Sequence, residues 1–98
     1  MSETTSFLSI VVATYTTDRL QDLKDLIQSV DLQTYSPIEV VLIVEKDRRL
    51  YDTVRDPAWI PHRVPIRIFF NEKSGGLSVN RNMGIEKAKG DILAFVEL

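Results

Sequence analysis

The run Ile38-Glu39-Val40-Val41-Leu42-Ile43-Val44 is almost continuous in branched aliphatic side chains. It has no polar face, so it reads as a strand covered by helices on both sides, the situation of a parallel sheet. Working outward, Phe7 to Ala13 and Ile92 to Val96 have the same character, and Ile66 to Phe70 makes a fourth burst. Intervals of about 20 to 30 residues separate these bursts, which is the spacing of strand-helix-strand units. The third burst differs, because Val64-Pro65-Ile66-Arg67-Ile68 alternates in polarity. Its proline cannot donate to a ladder, which predicts a strand at the border of the sheet.

Between the first two bursts, Leu20, Leu23, Leu26, Ile27 and Val30 recur at helical spacing. They predict a helix from about Arg19 to Leu32, with Asp18 as N-cap and Gln21 as its capping-box partner. The cluster Tyr35-Ser36-Pro37 ends it, since the residue before a proline is pushed toward extended backbone. Arg48 to Arg55 fits two turns of helix, closed by Asp56-Pro57, and Trp59-Ile60-Pro61 reads as a connecting loop whose indole covers the core. Lys73-Ser74-Gly75-Gly76 opens the third connection. A helix over Leu77 to Lys89 follows, with Ser78 as cap and Leu77, Ile85 and Ala88 as its apolar face. Gly84 inside that helix costs about 1 kcal/mol relative to alanine, and close approach of the helix backbone to a sheet is the usual compensation. Gly90 is placed just past the helix as its C′ residue, with Asp91 opening the last strand.

Right-handed crossovers then give an α/β, Rossmann-like doubly wound parallel sheet of order 3-2-1-4, with helices on both faces. The direction of winding reverses between the first and fourth strands, which opens a crevice at their carboxyl ends, at Thr14 to Thr17 and after Val96. Residues 1–6 are expected to form a disordered tail. Ile92 to Val96 reads as an interior strand although the sequence runs only to Leu98. This predicts that the 98 residues are the amino-terminal part of a larger domain, and that the piece forms a homo-oligomer through that apolar edge.

Composition narrows the function. The chain has 98 residues, 44% hydrophobic and 27% charged, enough for one domain and unlike disordered or low-complexity sequence. The absence of cysteine removes disulfides, thiolate metal sites and thiol nucleophiles, and points to a cytoplasmic address. Twelve basic against 14 acidic residues leave a formal charge of −2, so there is no basic field for nucleic acid. No apolar run approaches the ~20 residues needed to span a bilayer.

Carboxylates at strand ends are the first candidates for chemistry, since a crevice lined by acids and amides can hold a metal or hydrogen-bond a base. Glu45 follows the second strand and Glu97 the fourth; each can equally be a solvated loop acid. Asp47 and Asp91 fit caps or turns. Arg81, one turn into the third helix, has the reach to clamp a diphosphate, and is otherwise an exposed helix arginine. Asn80 and Asn82 are poor helix formers in a helix, which suggests side chains used for bonding. The Gly75-Gly76 loop matches no Walker or dinucleotide pattern and reads as a flexible turn. His62, the single histidine, has no acid or nucleophile at a catalytic spacing.

Read together, five stretches resemble the start of a family 2 glycosyltransferase of the GT-A fold. They are Leu8-Ser-Ile-Val-Val-Ala-Thr14-Tyr15, the helix end Ser29-Val-Asp-Leu-Gln33-Thr34-Tyr35, Ile38 to Val44, Asn80-Arg81-Asn82-Met-Gly84-Ile85, and Gly90-Asp91-Ile-Leu-Ala-Phe95-Val96. The resemblance implies a nucleotide-diphosphate-sugar donor, UDP- or GDP-linked, held across the crevice. It places Thr14 and Tyr15 near the nucleoside, Glu45 on the base and Arg81 near the diphosphate. The family usually has Asp within a Val-Asp-Asp-Gly-Ser type run where this chain has Val44-Glu45-Lys46-Asp47. Ala13 stands where it usually has Pro, and Thr16 where it has Asn. The resemblance further implies Mg or Mn on the donor diphosphate, held by an acidic motif that begins about at Glu97, and a later carboxylate base that gives inversion at the anomeric carbon. This piece by itself is expected to bind no metal and to have no turnover, and its parent to work in the cytoplasm, against the membrane face. Two other classes fit less. A signalling receiver domain would need an acidic pair after the first strand, where Ala13-Thr14-Tyr15-Thr16 stands. A non-catalytic nucleotide-sugar binder or assembly module would share the fold without the reaction.

Overall fold

The structure, a computed structural model, describes residues 6–33, 37–73 and 76–98, with Leu77 as backbone only. Its four strands are β1 (Leu8–Thr14), β2 (Ile38–Glu45), β3 (Ile66–Asn71) and β4 (Ile92–Glu97). All pairings are parallel and the spatial order is β3-β2-β1-β4, as the crossover argument requires. The helices are α1 (Leu20–Asp31), α2 (Arg48–Arg55) and α3 (Gly76–Lys87), with a short 3₁₀ turn at Thr17–Arg19.

Register explains why the middle of β2, Val40 to Val44, is apolar throughout. Val41 lies between Val11 of β1 and Arg67 of β3, and Leu42 between Val12 and Ile68, so Val40 to Val44 face a helix layer on one side or the other. On one face Val12, Val40, Leu42 and Val44 pack against Leu23, Ile27 and Val30 of α1 and Leu50 and Val54 of α2. On the other face Val11, Val41 and Ile43 pack with Phe69 and with Met83 of α3. The border position of β3 is consistent with Pro65, which stands just before the strand and whose carbonyl accepts the Val40 N–H at 2.8 Å. Trp59 packs on the α1/α2 core from the loop, as expected.

Several local expectations are corrected. Asp18 does not cap α1. It lies inside the 3₁₀ turn, where its own N–H donates to Thr16 Oγ1 at 3.1 Å, and Gln21 donates instead to Asp25 at 2.9 Å. Ser78 does not cap α3, which already begins at Gly76 with φ of 59°. Nor do Ile85 and Ala88 form the inward face of α3, because Ile85 is 53% exposed and Ala88 lies past the helix end. The inward face is Asn80, Met83 and Gly84, since a Cβ on Gly84 would collide with Val11 Cγ1 and the helix backbone lies directly on β1. Gly90 is not a left-handed C′ residue. It is glycine because a Cβ there would sit 2.5 Å from the Phe7 carbonyl and 2.6 Å from Ser9 Oγ. Asp47 does cap α2, accepting the Leu50 N–H at 2.9 Å, and Asp91 accepts the Phe7 N–H at 3.1 Å. The expectations for Thr34-Tyr35-Ser36, Ser74-Gly75, the Leu77 side chain and residues 1–5 of the tail lie outside the described residues.

A buried polar knot ties the amino ends of the strands together. Glu39 on β2 accepts from Ser9 Oγ at 2.6 Å, from the Lys89 N–H at 2.8 Å and from Arg67 Nη2 at 2.8 Å. Ser9 Oγ in turn accepts the Gly90 N–H at 2.8 Å. The knot thus fixes the chain between α3 and β4, so that β4 enters beside β1 and its carboxyl end meets the crevice.

Candidate functional site

The connections β1-α1-β2 and β2-α2-β3 run over one face and β3-α3-β4 over the other, so the crevice opens at the carboxyl ends of β1 and β4. Ala13, Thr14, Tyr15, Glu45, Gly76, Asn80 and Glu97 enclose a cavity of about 210 Å³ there. A smaller one of about 120 Å³ adjoins it, lined by Val11, Ala13, Asn80, Arg81, Phe95, Val96 and Glu97. Ala13, Asn80 and Glu97 belong to both, so the two form one continuous cleft.

The five residues that the resemblance places at the donor, Thr14, Tyr15, Glu45, Arg81 and Glu97, border this cleft. Thr14 ends β1 and is buried, whereas the following Tyr15 projects its ring into solvent. Glu45 ends β2. The chain then turns away through Lys46, whose φ of 63° lies in the left-handed region and whose N–H donates to the Asn71 carbonyl at 2.8 Å. A non-glycine residue held in that conformation beside a cleft is a feature that surrounding structure must enforce. Arg81 stands in the adjoining part of the cleft, its guanidinium carbon 5.1 Å from the centre of the Phe95 ring. Glu97 ends β4 between the two parts.

Two further residues belong to the site. Asn80 of α3 donates from Nδ2 to Glu45 Oε1 at 2.6 Å. Behind it, Asn71 at the end of β3 donates from Nδ2 to Asn80 Oδ1 at 2.8 Å, and its own Oδ1 accepts the Lys73 N–H at 3.0 Å. Asn80 and Asn71 are only 5% and 2% exposed. The sequence marks Asn80 as a side chain used for bonding, and the structure shows that bond; Asn82 lies one turn face away on the exposed side. Asn71 carried only a faint signal, a turn-forming amide closing a run of aromatic strand residues.

The chemistry available is that of a polar, partly enclosed slot with a carboxylate at each of two strand ends and one guanidinium beside it. Among the described residues no three side chains of His, Cys, Asp or Glu converge as a metal-binding group. Glu97 offers a single carboxylate, so these residues do not by themselves assemble a divalent-metal site. His62 lies elsewhere, with Nδ1 2.7 Å from the Val64 carbonyl, in a groove with Trp59.

A doubly wound α/β domain with its cleft at the switch point is thereby defined. The comparison with known proteins names the kind: the chain belongs to glycosyl transferase family 2, whose model matches residues 9–97. It is 31% identical over 90 residues, 92% of this chain and 28% of the relative, to a glucosyl-dolichyl phosphate glucuronosyltransferase of Haloferax volcanii. It is likewise 31% identical to the uncharacterized glycosyltransferase YwdF of Bacillus subtilis, covering 92% of this chain and 31% of that protein. With the uncharacterized glycosyltransferase YibD of Escherichia coli it shares 28% over 97 residues, 99% of this chain and 27% of the relative. The chain thus spans less than a third of the length of these relatives. No helix among the described residues is long and apolar enough to cross a membrane.

Proposed function

We propose that this chain is the part of a sugar-transferring enzyme that binds the nucleotide diphosphate of its donor, UDP- or GDP-linked. The observation that carries the reading is the Glu45 carboxylate, anchored by buried Asn80 on the wall of a cleft that Thr14 and Tyr15 also line. An acceptor oxygen there suits a base, with the Tyr15 ring free to lie on a nucleoside. Arg81, displaced along the cleft, supplies a planar cation suited to a diphosphate. Transfer to an acceptor hydroxyl with inversion belongs to the whole protein, as does its setting in the cytoplasm against the membrane face. A Mg or Mn ion would neutralise the leaving diphosphate, and Glu97 is the residue here that would contribute to holding it, with further ligands required. The chain alone has no turnover in this reading.

Calorimetric titration of the 98-residue chain with UDP and with GDP is the test. One of them binds, and Arg81→Ala weakens that binding about tenfold or more, the loss expected for one charge-assisted contact. Equal affinity in wild type and variant removes Arg81 from the diphosphate; no binding of either nucleotide by the folded chain contradicts the reading.

The same reading has the free edge of β4 pair with a second copy. Ile92 and Phe95 of that strand are 47% and 39% exposed, an apolar border that one backbone ladder would cover. Light scattering at tens of micromolar should then give a dimer or larger particle, and a monomer would contradict the pairing.

A further inference from the structure

We infer that the outer edge of β3 is a docking site for an extended peptide segment of another protein, one that carries an apolar side chain and, two residues away, a carboxylate. The site lies on the opposite border of the sheet from β4 and is independent of the nucleotide reading.

The direction of the main-chain groups comes first. The Pro65 carbonyl accepts the Val40 N–H and the Asn71 carbonyl accepts the Lys46 N–H, each at 2.8 Å, and between them the register runs from Val40 with Ile66 to Glu45 with Asn71. In a parallel ladder alternate residues bond to the same side, so Arg67, Phe69 and Asn71 bond to β2 while Ile66, Ile68 and Phe70 turn their N–H and C=O groups outward. No strand among the described residues lies beyond them. Ile66 to Phe70 are half-buried, and all but Arg67 are apolar. Pro65 stands before the strand and Arg67 is held by Glu39 at 2.8 Å, so neither guards the edge. An unguarded apolar edge is a template for pairing with another chain.

The surroundings define that chain. Beside Ile66 and Ile68 a groove of about 220 Å³ is floored by Leu42 and Val54 and walled by Trp59 and His62. It suits an apolar side chain. One two-residue step further along β3, Arg48 stacks on Phe70 with its guanidinium carbon 4.5 Å from the ring centre, and Arg55 stacks on Tyr51 at 4.7 Å. The rings hold these guanidiniums in place, and neither reaches a carboxylate at salt-bridge distance among the described residues. Asp56 also lines the groove, its Oδ1 accepting the Ala58 N–H at 2.9 Å, so an acid is favoured at the arginines and not inside the groove. Side chains on one face of a strand repeat about every 7 Å, so a strand on this edge sets an apolar residue in the groove and the carboxylate of its second neighbour at the arginines. Its intervening residues turn to the other face, where a second groove of about 410 Å³ lies between the end of β3 and Met83 and Lys87 of α3. A compact ligand fills one groove, whereas an extended chain serves both and the ladder between them.

The test takes the 98-residue chain and a capped peptide, Thr-Thr-Leu-Thr-Glu-Thr-Thr, and follows amide chemical shifts and hydrogen exchange. Saturating peptide should slow exchange at Ile66, Ile68 and Phe70 by about tenfold or more, the protection of newly closed ladder bonds, and leave Arg67, Phe69 and Asn71 unchanged. Replacing the peptide's glutamate with lysine should weaken binding about fivefold, the scale of one exposed ion pair lost. Arg48→Gln combined with Arg55→Gln should abolish that difference, with thermal unfolding as the check that the variant folds. An isomer with leucine and glutamate adjacent should bind as weakly as the lysine peptide, because the two side chains then face opposite sides of the sheet. Should the double variant fail to fold, the two isomers decide. No saturable change by millimolar peptide, equal binding of the isomers, or protection without the two-residue alternation overturns the inference. Edge amides already protected in the free chain and released on dilution would assign the edge to a second copy, and overturn it as well.

Discussion

Glu39→Ala is expected to destabilise the protein by about 2–4 kcal/mol, the range for breaking a buried ion pair whose cation keeps some contact with water. Glu39 is 3% exposed and is the common acceptor for Ser9, Arg67 and the Lys89 N–H. Truncation strands the Lys89 donor and leaves the Arg67 side chain, 30% exposed, with the Lys87 carbonyl as its remaining acceptor in the knot. Urea unfolding of the variant measures the loss, and a change below about 0.5 kcal/mol, the size of an ordinary surface substitution, would show the knot to be dispensable. The effect carries a pH signature. Burial pushes the Glu39 carboxyl up, but the Ser9 hydroxyl, the Lys89 N–H and the Arg67 guanidinium outweigh it and hold the group below the ordinary glutamate value. A group lowered on folding contributes stability that is present above its unfolded pKa, about 4.3, and is lost as pH falls through the folded one. The stability difference between wild type and Glu39→Gln should accordingly be level at neutral pH and shrink as the pH drops below that value. A difference that grows with acid would reverse the sign and contradict the assignment.

Gly84→Val is expected to cost about 3 kcal/mol or more, an overpacking effect at the upper end of its class. A Cβ at this position overlaps Val11 Cγ1, and Val11 Cβ and Cγ2 each lie 3.3 Å away. Val11 is 2% exposed and short, so it cannot swing clear, and α3 must lift off β1. Because Asn80 sits one turn earlier on the same helix, lifting α3 also draws the amide away from Glu45. Val11→Ala in the same background makes room. The double variant should lose clearly less than the sum of the two single losses, a coupling that urea unfolding of all four proteins reads directly. Strict additivity would mean that the glycine is not there for the contact.

The two glycines show how far the sequence could be read. A glycine within a helix pattern points to a backbone lying on a sheet, and Gly84 does so, whereas the apolar residues Ile85 and Ala88 misplace the helix face. Gly84 brings the α3 backbone itself against β1, so the neighbouring Ile85 turns outward and Asn80 and Met83 turn in, which an apolar-face count cannot see. Gly90 looked like a helix terminator but answers to Phe7 and Ser9, residues more than eighty positions away that only the fold brings close. Strand order was legible because the middle of β2 is apolar on both faces and a proline stands just before β3. At the cleft, Thr14, Tyr15, Glu45 and Glu97 were legible as residues at strand ends. Asn71 was not, since its role depends on a hydrogen bond to α3 that a turn-forming amide at a strand end does not reveal. The knot around Glu39 escaped for the same reason: inside an aliphatic strand a glutamate reveals nothing of the arginine that pairs with it or the serine that donates to it.

The most direct test of the account is to map, by amide chemical-shift changes in the 98-residue chain, where a nucleoside diphosphate binds. Titration with UDP and with GDP should move Thr14, Tyr15, Lys46 and Arg81 and the side-chain amides of Asn71 and Asn80, leaving the Trp59–His62 groove still. Changes centred on that groove, or no saturable change anywhere in a folded chain, would contradict it.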